Sequence, residues 1–147
     1  MEIVRAGEKE EAAVYALLCQ LEGRALDQAA FHEVYLENLE NPRVVYLLSL
    51  ERGTISGFCS LHVQPLLHHA GRIAEIQELI VCPSQRGSGA GRALFSAAMQ
   101  KAREMNCIQL EVCCNLNRAL SHHFYAHMGL MKSHYKFTTL PFFPSDD

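Results

Sequence analysis

The sequence contains no long apolar run, no run of lysines and arginines, and no pair of cysteines spaced as C-x-x-C. A membrane-spanning helix needs roughly 20 consecutive apolar residues, and no stretch approaches that length. A net charge of −3 without a basic run argues against a nucleic-acid surface. The first residues, MEIVRAGEKEEAA, are charged and lack the apolar segment of a signal peptide. We therefore expect a cytoplasmic protein that binds neither nucleic acid nor a membrane.

Cysteine usage gives no sign of a metal or redox motif. The six cysteines occupy positions 19, 59, 82, 107, 113 and 114, and several lie in apolar, strand-like runs. Buried, reduced thiols are the expectation. The chain also lacks internal repeats, low-complexity tracts and linkers. With 147 residues and 49% apolar side chains, it is predicted to form a single domain over residues 1–147.

Apolar patterning predicts strands and helices that alternate along the chain. The strands are expected at residues 2–6, 43–51, 54–63, 73–82, 108–114 and 131–139. The helices are expected around residues 14–21, 31–39, 94–105 and 121–128, with a loop at 64–72. Arg52-Gly53 forms a tight turn between two strands, which makes them an antiparallel hairpin. This order predicts an α/β fold with a mixed sheet rather than a uniformly parallel one.

Three alternating glycines, Gly87, Gly89 and Gly91, lie between a strand end and a helix start in VCPSQRGSGAGRALF. The first N–H groups of a helix have no intrahelical partner, and the helix dipole favours negative charge there. Glycines let phosphate oxygens approach those groups without a Cβ in the way. The spacing has neither the lysine of a P-loop nor the G-x-G-x-x-G of a dinucleotide fold. A phosphate site is therefore predicted, with a glycine-rich turn that binds nothing as the alternative.

The residues around these glycines resemble the acetyl-CoA motif of the GNAT acetyltransferase superfamily. The matching pattern is V-x-P-x-x-R-G-x-G-x-G-x-x-L over residues 81–94. Phe124-Tyr125 followed by Gly129-Leu130 resembles a second superfamily segment, F-Y-x-x-x-G-F. The resemblance implies a central sheet of about six to seven strands flanked by about four helices. It also implies a splay between the two central parallel strands.

The same resemblance implies how acetyl-CoA, the co-substrate, is held. The N–H groups of residues 87–91 would bind the pyrophosphate, and the pantetheine arm would pair with the main chain near residues 79–81 as an added strand. Superfamily members often carry N-x-x-A before the F-Y pair. In this chain the positions of that asparagine and alanine are occupied by Arg118 and Ser121. Asn115 or Asn117 is the candidate to supply the missing amide. The coenzyme-binding residues implied are Leu79, Ile80, Val81, Arg86, Gly87, Ser88, Gly89, Ala90, Gly91, Arg92, Asn115, Arg118 and Phe124.

Residues 13–31, 61–81 and 133–138 resemble a narrower family, the bacterial aminoalkylphosphonate N-acetyltransferases. This resemblance implies transfer of the acetyl group to the amine of small phosphonates such as aminomethyl-, 1-aminoethyl- and 2-aminoethylphosphonate. A polyamine, an aminoglycoside or a protein N-terminus is the alternative acceptor. A non-catalytic coenzyme A-binding module is the alternative from another class.

Acetyl transfer to an amine needs a base, because an alkylamine with a pKa of ~10 is mostly protonated at neutral pH. Glu75 is the first candidate, since it lies six residues before Val81, as the base does in several superfamily members. Glu78 would face the opposite side of an unbroken strand, and Glu111 lies on the partner strand. The match to the F-Y segment implies that Tyr125 protonates the departing thiolate.

The phosphonate would need basic or N–H partners, and a divalent metal stays an open alternative. The candidate phosphonate ligands are Arg24, His62, His68, His69, Arg118, Lys132, His134 and Lys136. The spacing of His62, His68 and His69 is not an established zinc pattern, and His123 and His127 are interpreted as an exposed helix face, so no metal ligand is assigned. A homodimer is a further possibility, because the apolar tail PFF could pack against a second subunit.

Overall fold

A five-stranded mixed sheet forms in a computed structural model that describes residues 1–115 and 118–143. The strands are β1 (Glu2–Arg5), β2 (Val44–Glu51), β3 (Thr54–Leu66), β4 (Gly71–Val81) and β5 (Cys107–Val112). The helices are α1 (Glu11–Glu22), α2 (Gln28–Glu40), α3 (Ala90–Glu104) and α4 (Ala119–His127). Short 3₁₀ helices cover Glu8–Glu10, Leu67–His69 and Pro83–Gln85. No helix of the described chain is both long and apolar enough to cross a membrane.

The chain divides into two compact units, Met1–Val112 and Cys113–Asp147. The first unit contains the sheet and α1–α3, and the second contains α4. The prediction of a single domain over residues 1–147 stays a prediction.

The strands follow the order β1-β2-β3-β4-β5, with antiparallel pairing up to β4 and a parallel β4–β5 pair. This confirms the mixed sheet and the hairpin at Arg52-Gly53. The loop predicted at 64–72 is wrong over most of its length, because β3 runs to Leu66 and β4 begins at Gly71. Pairing with the neighbouring strand carries both strands past the point where the local pattern ends.

The prediction of a strand at 131–139 is also wrong, so the described chain has five strands rather than six or seven. This segment makes no strand pairing, and Met131, Tyr135 and Phe137 are 87%, 83% and 93% exposed. The alternation of apolar and polar residues is typical of a half-buried strand. A strand, however, also needs a backbone partner, and residues 131–139 have none in the described part of the chain.

One face of the sheet, here called the α1/α2 face, is covered by α1 and α2. Val14, Leu17 and Leu18 recur at helical spacing and are buried against it, as the sequence predicts. They join Phe58 and Ile80 in one apolar cluster. The ring-to-ring contacts in this layer run from Tyr15 through Phe31, Tyr35 and Tyr46 to Phe58.

The opposite face, here called the α3 face, packs on α3 through Leu94, Phe95 and Ala98. The contact is close at Gly57, where a Cβ would lie 3.0 Å from Leu94 Cδ1 and 2.8 Å from the Ile80 carbonyl oxygen. A side chain at position 57 would therefore push α3 away from the sheet. The start of α3, with the turn that precedes it, is fixed in this way against β3 and β4.

The pairing of β4 with β5 stops at Ile76 and Val112, whereas β4 continues to Val81. Residues 78–81 are therefore paired on the β3 side, and residues 77–81 have no β5 partner. This opening, here called the fork, is the splay that the superfamily resemblance implies.

Candidate active site

The free edge of β4 beyond the fork presents main-chain groups that no strand of the described chain uses. The Cys82 N–H donates to the Ser56 carbonyl at 2.8 Å, and the Glu78 N–H donates to Ser60 Oγ at 3.0 Å. Alternate residues of a strand point their main-chain groups to the same side. Those of Leu79 and Val81 therefore point away from β3, where an extended ligand can bind as an added strand.

The glycine turn after β4 is open at the points where side chains are missing. Gly87 and Gly89 have φ values of 85° and 93°, and a Cβ on either would meet no atom within 4 Å. Left-handed φ values favour glycine, which explains both residues. The open space leaves room for a ligand group against the backbone.

The N-terminus of α3 directs unpaired N–H groups toward the same turn. Gly89 is the N-cap residue and has no side-chain cap, and the first helical bond runs from the Ala93 N–H to the Gly89 carbonyl at 3.0 Å. The N–H groups of residues 90–92 therefore have no partner within the helix. Arg86, before the turn, and Arg92, in the first turn of α3, are both exposed. The arrangement is a site for an anionic group such as a phosphate.

Three polar side chains form a row on the α1/α2 face, immediately before the fork. Glu75 on β4 is the register partner of His62 on β3 and of Glu111 on β5. Register partners share a face of the sheet, and neighbouring strands lie about 4.8 Å apart. All three are half-buried, unlike the apolar cluster on the same face. The row can therefore contact a small ligand at the fork.

Glu78 shares this face, which corrects the prediction that Glu75 and Glu78 point to opposite sides. Ser60 pairs with Glu78 and Leu61 with Ile76, so Gln77 is an extra residue that forms a β-bulge. A bulge shifts the alternation by one residue and brings both glutamates to the same side.

The contacts of Glu78 distinguish it from Glu75. Ser60 is buried and its hydroxyl donates a hydrogen bond to the Glu78 carboxylate. The same carboxylate adds to the effect of burial in raising the pKa of Cys59 to about 12 and in raising the pKa of Tyr46. Glu78 is thus bound into the sheet, whereas Glu75 makes no recorded hydrogen bond or ion pair within the described chain.

His69 contacts the far end of the row. Its Nε2 lies 3.9 Å from Glu111 Oε1, and the two side chains are 27% and 38% exposed. The neighbouring ring of His68 lies 4.3 Å from that of His69. The sequence names Glu111 and His69 as separate candidates, but their contact depends on β5 lying beside β4, which no local pattern indicates.

Comparison with known proteins decides the family. The chain matches the family model described as Acetyltransferase (GNAT) family over residues 12–130. It belongs to the GNAT acetyltransferase family. An aminoalkylphosphonate N-acetyltransferase of Salmonella typhimurium is 40% identical over 137 residues, which cover 93% of this chain and 89% of that protein. The protein is accordingly an acetyl-CoA-dependent N-acetyltransferase.

Solved structures support the GNAT fold. A transcriptional regulator from Bacillus halodurans superposes with a TM-score of 0.86 at 18% identity, covering 94% of this chain and 97% of its own. An aminoglycoside N-acetyltransferase in complex with CoA superposes with a TM-score of 0.86 at 14% identity. The superposition covers 96% of this chain and 94% of that chain. At these identities the likeness establishes the fold alone.

The second GNAT motif lies in the second compact unit. Phe124 and Tyr125 are both half-buried on α4, and their rings lie 5.4 Å apart. The Asn115 carbonyl accepts from the Arg118 N–H at 3.0 Å and lies 2.8 Å from His122 Nε2. Asn117 lies outside the described residues.

The cysteines and histidines of this GNAT domain form no evident metal centre. Over residues 1–115 and 118–143, no three His, Cys, Asp or Glu side chains are grouped to hold an ion.

All six cysteines are free thiols, but only Cys59 is buried and Cys113 is exposed, so the prediction of buried thiols is wrong for most of them. Apolar neighbours in sequence do not bury a residue that lies at a strand end or beyond it.

Proposed function

We propose that the protein transfers the acetyl group of acetyl-CoA to the primary amine of a small aminoalkylphosphonate. The 40% identical relative, which is named for that activity, supports the acceptor class. The observation that carries the chemistry is the position of Glu75, two residues before the fork and between His62 and Glu111. An acceptor at this point would lie beside a thioester held in the fork.

In this proposal the first compact unit holds acetyl-CoA by its backbone. The N–H groups of Gly87 and of residues 89–92 bind the pyrophosphate, with Arg86 and Arg92 supplying positive charge, whereas the Ser88 N–H already donates to the Gln85 carbonyl at 3.2 Å. The pantetheine arm pairs with the free main-chain groups of Leu79 and Val81. The side chain of Ile80 is buried in the apolar cluster, so its contribution is to fix the strand.

Glu75 is the proposed base. Freeing an amine of pKa ~10 at neutral pH costs about 4 kcal/mol, and a nearby carboxylate can accept that proton from the bound ammonium so that the nitrogen lone pair attacks the thioester carbon. Glu78 is the weaker candidate because its carboxylate already accepts from Ser60. Glu111 is the register partner of Glu75, and a second negative charge there favours binding of an ammonium group.

Tyr125 is the proposed acid, which returns a proton to the sulfur as the thiolate leaves. The basis is its place in the F-Y segment of the GNAT pattern. Tyr125→Phe should lower kcat by about tenfold or more where chemistry limits the rate. An unchanged kcat under those conditions would rule the assignment out.

The test is an acceptor panel at saturating acetyl-CoA. Loss of thioester absorbance is the better readout, because exposed Cys113 would itself react with a thiol reagent. We expect turnover with 2-aminoethyl-, 1-aminoethyl- and aminomethylphosphonate, compared with and without EDTA to test for a metal. Turnover of a polyamine, an aminoglycoside or a peptide N-terminus without turnover of any phosphonate would contradict the proposal.

A further inference from the structure

His69 lies at the end of the polar row although it belongs to the connection between β3 and β4. The 3₁₀ helix Leu67–His69 is closed by a turn in which the Ala70 N–H donates to the Leu67 carbonyl at 3.0 Å. From there His69 Nε2 lies 3.9 Å from Glu111, on the strand beyond β4. The ring therefore extends across β4 toward the side chains beside the fork.

Carboxylates dominate the charge on this part of the α1/α2 face. The register places three carboxylates on this face, those of Glu75, Glu78 and Glu111. They would repel an anionic group bound beside them unless a basic side chain also contacted that group. Arg72 on β4 does not serve, since its Nη1 lies 3.4 Å from the Met105 carbonyl at the end of α3. Among the strand and turn residues beside the row, the basic groups are the imidazoles of His62 and His69.

His69 is the better placed of the two histidines for an acceptor's anionic group. His62 lies beside Glu75, where the amine must be, and on its other side its register partner is the apolar Val44. His69 has one nitrogen toward Glu111, and its Nδ1 makes no recorded hydrogen bond within residues 1–115 and 118–143. One strand spacing, about 4.8 Å, separates Glu75 from Glu111, and His69 contacts Glu111, so the amine and the anionic group of one small acceptor can reach Glu75 and His69 together.

We propose that His69 determines specificity for the acceptor's phosphonate, with Nε2–H directed to Glu111 and Nδ1–H donating to a phosphonate oxygen. The amine then lies at Glu75, two carbons away. This assignment rests on the proposed acceptor class. Glu111 has a positioning role, because its carboxylate lies beside Nε2 and leaves Nδ1 available to the acceptor.

The test compares two acceptors of similar shape, 2-aminoethylphosphonate and propylamine, which lacks the phosphonate. His69→Gln should raise KM for the phosphonate about tenfold or more, with kcat changed less than about twofold, because a charge-assisted hydrogen bond is lost. Its kinetics with propylamine should match wild type. His69→Lys, which places an ammonium donor at the same position, should retain the preference for the phosphonate. His32→Gln is the matched control, since His32 on α2 contacts Glu11 at 2.8 Å and has no part in the row.

Equal changes for both acceptors, or no change, would overturn the assignment, as would the same selective effect from His62→Gln but not from His69→Gln. If His69→Gln does not fold, His69→Lys decides, because loss of the phosphonate preference there contradicts the proposal. Failure of the acceptor class is separately visible. Wild-type enzyme that acetylates propylamine but no phosphonate would overturn the proposed function, and this inference with it.

Discussion

At the scale of single residues, the three glutamates beside the fork have different surroundings although they share a face. Glu78 accepts from buried Ser60, and its charge is felt by Cys59 and Tyr46 in the core. Because the Glu78 carboxylate already accepts a hydrogen bond from Ser60, it is the weaker candidate for taking a proton from a substrate. Glu75 has the freer side chain and the central position in the row.

Glu75→Gln should lower kcat/KM by about a hundredfold at neutral pH, the effect expected for loss of a general base. The loss should be larger at acid pH than at alkaline pH, because the free amine becomes more abundant as pH rises and needs the base less. The measurement is the pH dependence of kcat/KM for 2-aminoethylphosphonate in both proteins.

Glu37→Gln is the control for Glu75→Gln, since Glu37 is an exposed glutamate on α2. It should reproduce the wild-type profile. A Glu75→Gln enzyme whose profile is parallel to that of wild type would remove Glu75 from the mechanism.

At the scale of elements, the β4–turn–α3 segment combines the two features through which we propose that it binds acetyl-CoA. The free edge of β4 offers strand-like pairing, and the start of α3 offers N–H groups and the positive end of a helix dipole. Packing of Leu94 against Gly57 fixes α3 relative to the strand. The two contacts are therefore held in register before a ligand arrives.

Gly89→Ala should raise KM for acetyl-CoA about tenfold, because the added Cβ enters the space that the ligand would use. It should also destabilise the fold by about 1 kcal/mol through its left-handed φ. Steady-state kinetics and urea unfolding measure the two effects.

Gly53→Ala is the control for Gly89→Ala, because it introduces the same backbone strain at a position away from the proposed acetyl-CoA site. Gly53 has a φ of 79° and open space at its Cβ position, as Gly89 does, but lies in the β2–β3 turn. It should lose similar stability and keep the wild-type KM. Equal rises in KM for the two variants would mean that the glycine turn acts through stability alone.

The elements that could be predicted from sequence are those whose signals are local. The hairpin turn, the apolar stripe of α1 and the strand–glycine–helix order all depend on neighbouring residues, and each is confirmed. The bulge at Gln77 and the contact of His69 with Glu111 depend on the partner strand. The segment 131–139 has a strand pattern without a partner, which sequence cannot distinguish from a paired strand.

At the scale of the whole molecule, one thiol and two phenol groups lie in the core, where burial makes their ionisation costly. Burial raises the pKa of the Cys59 thiol from an ordinary 9.0 to about 12, and it raises the pKa of the Tyr35 and Tyr46 phenols above their ordinary 10.0. Each group stabilises the native state fully below its unfolded pKa. That contribution is lost as pH rises toward the folded value, because the unfolded chain ionises first.

The free energy of unfolding should therefore fall as pH rises above about 9, and Cys59→Ala should make the fall shallower. Urea unfolding at a series of alkaline pH values measures the slope of the unfolding free energy against pH. A cavity left by the substitution would lower the free energy by the same amount at every pH and would not change that slope. Equal slopes for wild type and Cys59→Ala would contradict the role given to burial.

A homodimer and the lack of nucleic-acid binding stay predictions, and the central claim concerns the ligand. It is that the backbone of β4 and the glycine turn binds acetyl-CoA. The most direct measurement is an acetyl-CoA titration followed by amide ¹H–¹⁵N chemical shifts. The largest changes are expected at Leu79, Val81, Gly87, Gly89 and Gly91, and the Gly53 amide should not shift. Saturable binding that leaves those amides unchanged and shifts another surface would contradict it.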